Sequence, residues 1–131
     1  MALGRREFTV AMMASIGGCA LPVGDKSQKE ARHMFGLIGK MIAVPGQREN
    51  LIAVLLDGIE GMPGCLSYVV ARDAKDENAL WITEVWDSKD SHSASLKLPS
   101  VQAAIAKGKP LIAGFGDYFT TEPVGGVGLP A

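Results

Sequence analysis

The chain has 131 residues, thirteen Lys and Arg against fourteen Asp and Glu, a formal net charge of −1 and a pI near 6.1. With 47% apolar and 21% charged residues it has a globular composition, too apolar for a disordered body. No basic stripe marks it for nucleic acid, two cysteines (Cys19 and Cys65) are too few for a disulfide framework, and His33 and His92 lie too far apart to suggest a metal site.

The first twenty residues read as an address. Arg5-Arg6-Glu7-Phe8, the uncharged run Thr9 to Gly18 and then Cys19 have the pattern of a bacterial twin-arginine export signal. The apolar run from Phe8 to Cys19 falls short of the ~20 residues that span a bilayer, so it reads as a signal core. Ile16-Gly17-Gly18-Cys19 has the form of a lipobox, which would make Cys19 a lipid anchor; Gly18-Cys19-Ala20 also suits ordinary signal cleavage. Either way the expected location is exported, periplasmic or held on the outer side of the cytoplasmic membrane. Residues 21–33, with Asp25, Lys26, Ser27, Gln28, Lys29 and Glu30, read as a solvated linker.

A single domain is expected over 34–122. Phe35 to Ala43 is apolar at alternate and intervening positions, as in a strand covered on both faces. Val44-Pro45-Gly46-Gln47 makes a turn, and Leu51, Ile52, Leu55, Ile59 and Met62 then recur at helical spacing until Gly61, Pro63 and Gly64 stop the helix. Cys65–Arg72 and Ala79–Trp86 read as strands around the charged loop 73–78. In the second of these, Leu80, Ile82, Glu84 and Trp86 share one face, and Trp81, Thr83 and Val85 the other. Asp87 or Ser88 caps a helix to about Leu98, and Pro99 restarts one through Ala106 that Gly108 and Pro110 close. Leu111 to Thr121 is the last strand, and 123–131 a glycine-rich tail.

The order β-α-β-β-α-β predicts an α+β, ferredoxin-like fold. Two helices cover one face of such a sheet, yet these strands are apolar on both. A second copy of the same sheet is the simplest cover, which predicts a homodimer, a dimeric α/β barrel.

Four stretches carry a family likeness: Val44-Pro45-Gly46-Gln47-Arg48, Met62-Pro63-Gly64-Cys65-Leu66-Ser67-Tyr68, Glu84-Val85-Trp86-Asp87-Ser88-Lys89-Asp90-Ser91-His92, and Leu98-Pro99-Ser100-Val101. In this order they resemble the antibiotic biosynthesis monooxygenase family, including its quinol monooxygenase-like members, over most of Met34–Thr121. The resemblance implies a homodimer with one pocket per chain between sheet and helices. It also implies oxidation of a small aromatic, of quinol or phenol type, by molecular oxygen without a cofactor. Because the family is functionally loose, a non-catalytic small-molecule-binding protein of the same fold is the alternative.

Such chemistry needs a base or hydrogen-bond acceptor beside a phenol hydroxyl in a dry pocket. His92 is the candidate base, since imidazole ordinarily titrates near neutrality; the contrary reading is a surface histidine among Ser91, Ser93 and Ser95. Glu84 is the second catalytic candidate, or else a structural ion pair with Arg72 or Lys40. Trp86 stacks on a ring or fills the core, Tyr68 and Tyr118 donate to a quinol oxygen or merely pack, and Trp81 belongs to the dimer face. Cys65 reads as a buried strand residue. Haem-degrading relatives resemble a pattern with tryptophan and histidine where Ser95 and Ile105 stand, which disfavours that activity.

Overall fold

A computed structural model describes residues 33–130. The segments read from the sequence as an export signal, a lipobox at Cys19 and a linker, up to residue 32, lie outside them. The elements are β1 (Phe35–Ala43), α1 (Arg48–Asp57), β2 (Cys65–Arg72), β3 (Ala79–Trp86), α2 (Lys89–Ser95), α3 (Pro99–Gly108), a 3-10 turn (Lys109–Leu111) and β4 (Ile112–Thr121). The four strands form one antiparallel sheet in the order β2-β3-β1-β4. This is the α+β, ferredoxin-like fold that the sequence predicts.

Each strand lies within a residue of where the alternation places it, and it is the helix ends that differ from those expected. Periodicity carries α1 to Met62, but the helix stops at Asp57: the Gly58 N–H turns back onto the Val54 and Leu55 carbonyls. A Cβ on Gly58 would lie 2.6 Å from that of Ala104, so the missing side chain lets α1 and α3 meet. Ser88 caps α2, its Oγ accepting from the Ser91 N–H at 3.1 Å. That helix ends at Ser95, short of Leu98, because the residue before Pro99 is held extended. At the other end α3 runs on through Gly108 into the 3-10 turn, so β4 starts at Ile112.

The register fixes which side chains meet. Leu37, Glu84 and Tyr68 stand abreast on β1, β3 and β2, on the face that the helices cover. Leu51 of α1 packs there with Ala43, Leu80 and Ile82, all buried, and Met41, Ile52, Leu55 and Val70 pack around them. Leu51→Ala is expected to destabilise the domain by about 2–5 kcal/mol, from lost apolar transfer plus the space left behind. Urea unfolding followed by tryptophan fluorescence measures it; a loss below about 1 kcal/mol would mean that the core closes over the gap.

The opposite face carries Ile38, Val69, Trp81, Val85 and Phe119, and among the described residues no helix lies over them. Val69 and Phe119 are about half exposed. One polar cluster interrupts this face: Trp81 Nε1–H donates to Asp73 Oδ2 at 2.8 Å, and Lys40 Nζ lies 3.8 Å from the same oxygen and 5.7 Å from the Trp81 ring centroid.

Candidate functional site

Between the sheet and the helices lies a cavity of about 630 Å³. Its walls are mostly aliphatic: Met41 and Ile112 from the sheet, Leu51, Leu55 and Ile59 from α1 and the turn after it, Val101 and Ile105 from α3. Tyr68, Glu84, His92 and Ser95 bring polar side chains to it, and Lys109 of the 3-10 turn also lines it. Trp86 forms the wall between Glu84 and His92 and is 1% exposed.

Alternation along β3 points Glu84 and Trp86 into this space together. The indole N–H of Trp86 donates to Glu84 Oε1 at 2.8 Å, while His92 Nε2 stands 4.0 Å from the same oxygen. His92 comes from the second turn of α2, where the Ser88 cap sets the helix start. Its ring lies between Trp86, edge-on at 5.4 Å, and Phe35, tilted at 5.5 Å. One turn on, the Ser95 hydroxyl donates to the His92 carbonyl at 2.6 Å and is itself buried.

Burial pushes the Glu84 carboxyl up from the ordinary carboxylate range, against the Trp86 hydrogen bond and the nearby imidazole, which favour its charged form. Tyr68 is pushed up as well, by burial first and then by the Glu84 charge, so it holds its phenolic proton and serves as a donor. Burial and the same carboxylate raise the Cys65 thiol, which keeps it from being a ready nucleophile. The site therefore offers one donor hydroxyl and two groups able to take a proton.

Four of the five predicted site residues, Tyr68, Glu84, Trp86 and His92, line one cavity. Tyr118 stands on β4, 64% exposed, and lines a smaller hollow next to it. The surface reading of His92 fails, since its side chain is only 19% exposed. The expected ion pair of Glu84 with Arg72 or Lys40 is also absent. Arg72 donates twice to Glu49, at 2.8 and 2.6 Å, holding that carboxyl down to about 2, and Lys40 pairs with Asp73. Register explains both: Arg72 stands four residues, about 13 Å, along β2 from Tyr68, and Lys40 faces the other side of the sheet. The sequence reading overlooked Phe35 and Ser95 as parts of the site; the one signal available was the Phe35–Trp86 pairing implied by antiparallel β1 and β3.

The sequence profile of the antibiotic biosynthesis monooxygenase family matches residues 34–107, more than half of the chain. The chain belongs to this family. A solved protein of Chloroflexus aurantiacus, named as a candidate antibiotic biosynthesis monooxygenase, is 65% identical with a TM-score of 0.72. That alignment covers 74% of this chain and 99% of the other. A similarly named structure from Caulobacter crescentus shares the fold at 23% identity and a TM-score of 0.66, over 72% of this chain and 93% of its own. One from Bordetella bronchiseptica does so at 14% and 0.61, over 70% and 98%. No curated protein matches. Among the described residues no group of three His, Cys, Asp or Glu side chains is placed to hold a metal ion.

Proposed function

We propose that the domain is a monooxygenase that oxidises a small, uncharged aromatic of quinol or phenol type with molecular oxygen, the protein supplying proton transfer and a dry cavity. The observation that carries this reading is the convergence of His92 and Glu84, 4.0 Å apart, on an apolar space of about 630 Å³. That volume lies within the roughly 300–1,000 Å³ of small-molecule sites. A hydroxyl placed against His92 and Glu84 loses its proton to the pair, and the resulting electron-rich anion is what oxygen attacks. Trp86 fixes the carboxylate, and Tyr68 can donate to a second oxygen on the ring. The reaction balances without another reductant: hydroquinone and dioxygen give hydroxyquinone and water.

In this reading the working unit is a two-fold dimer. The apolar sheet face with Val69, Trp81 and Phe119 is the interface, which leaves the cavity on the helical side of each chain.

Oxygen uptake with a panel of benzo- and naphthoquinols, followed by mass spectrometry under labelled dioxygen, tests the reaction. The expected product carries one labelled oxygen, with the other released in water. Tight quinol binding with no oxygen uptake across the panel would favour a non-catalytic binding protein instead.

A further inference from the structure

A second hollow, of about 170 Å³, adjoins the main cavity and shares Met41, Glu84 and Phe115 with it. Its remaining wall is Leu37, Gly39, Ile82, Gly116 and Tyr118, with Lys40 the one charged residue besides Glu84. The sheet explains why the space exists. Gly39 is the cross-strand partner of both Ile82 and Tyr118, and it contributes no side chain between them. A Cβ there would meet the Tyr118 ring at 3.4 Å, an ordinary contact, so backbone geometry does not require the glycine.

An enclosed apolar cavity of about 150 Å³ takes up benzene or xenon; here Phe115 and Tyr118, 70% and 64% exposed in the single chain, form the outer wall. This hollow is close to that size, which is ample for a diatomic gas and too small for a substituted bicyclic quinol. We propose that it is the dioxygen pocket of the site, holding the gas beneath Phe115 and Tyr118, beside the ring carbon to be oxygenated. The assignment rests on the monooxygenase reading above. With the substrate hydroxyl at Glu84 and His92, the ring extends along Met41, and its carbons face the wall that the two spaces share.

The step balances there. The quinolate gives one electron to dioxygen, and the aryloxyl radical and superoxide couple through a new C–O bond. The distal peroxide oxygen takes back the proton held by the His92–Glu84 pair. The O–O bond then breaks: the ring C–H proton goes to the base, the C–H electron pair becomes the new C=O bond, and the O–O pair leaves with the distal oxygen as hydroxide, which takes the proton from the base and departs as water. A hydroxyquinone remains.

Gly39→Val tests the assignment by filling the hollow from a strand position that a β-branched residue suits. The expected result is a rise of roughly tenfold in KM for oxygen with KM for the quinol unchanged within about twofold. The milder Gly39→Ala should give a smaller shift of the same kind. Xenon supplies a readout that needs no turnover: crystals of the full chain pressurised with the gas should hold xenon against Met41 and Ile82, and Gly39→Val should abolish it. Xenon confined to the larger cavity, or equal rises in both KM values, overturns the proposal. Xenon in the hollow of a protein that oxidises no quinol would instead sink the monooxygenase reading and leave a gas-sized pocket.

Discussion

Replacing His92 by alanine is expected to lower kcat/KM for quinol oxidation by about 10²–10⁴-fold, the usual contribution of a positioned acid–base group. The imidazole is the group with both a path to the cavity and a carboxylate behind it, and its loss leaves Glu84 with the Trp86 indole N–H but no neighbouring base. Folding should survive, because α2 keeps its Ser88 cap and the Ser95 bond goes to the backbone carbonyl of residue 92. Turnover within twofold of wild type would remove His92 from the mechanism. Glu84→Gln separates the two groups, since its amide oxygen can still accept from Trp86 while it can no longer bind a proton from the substrate.

That second variant also has a signature in stability. A carboxyl whose pKa is higher in the folded than in the unfolded state binds its proton more tightly when folded. Its contribution to stability is then greatest below the unfolded value and is lost as pH rises through the folded one. Glu84 is such a group, raised mainly by burial. Stability of wild type relative to Glu84→Gln should therefore fall with rising pH above about 4, the ordinary glutamate range, and level off once the buried carboxyl is fully charged. Urea midpoints across this range read the difference; a flat difference would mean that Glu84 is not desolvated in solution.

The strands and the β-α-β-β-α-β order were legible in the sequence because alternation of side chains is a local property of an extended chain, and here it is unbroken from Leu80 to Trp86. Helix ends were less so. Gly58 looks from its neighbours like a tolerated interior glycine, and only the approach of Ala104 from α3 shows why the chain stops being helical there. The site was legible in part for the same reason. Glu84 and Trp86 share a strand face, so their meeting follows from a two-residue repeat. What buries His92 is an aromatic from the far end of β1, Phe35, and nothing among Ser91, Ser93 and Ser95 announces it. Charge pairing points from Glu84 to Arg72 and Lys40, whereas its hydrogen bond comes from a neutral indole two positions along.

Val69→Asp combined with Phe119→Asp is expected to turn a dimer into a monomer, raising the dissociation constant by a hundredfold or more. Each side chain, when half-exposed in the isolated chain and covered in the pair, contributes on the order of 1 kcal/mol of transfer free energy, and two-fold symmetry makes every substitution count twice. Four such losses give about 4 kcal/mol, several hundredfold to a thousandfold in affinity, before the cost of desolvating a carboxylate is added. Sedimentation equilibrium over micromolar concentrations measures the change directly. The Lys40–Asp73–Trp81 cluster sharpens the expectation. Its two charged side chains are already mostly covered in one chain, 26% and 16% exposed, and its charges satisfy each other and the indole N–H. A second sheet can therefore close over it without stranding a charge, so dimerisation should depend only weakly on salt. A wild-type chain that sediments as a monomer throughout would mean that this face meets water or another protein, and the cavity would then have to work within a single sheet.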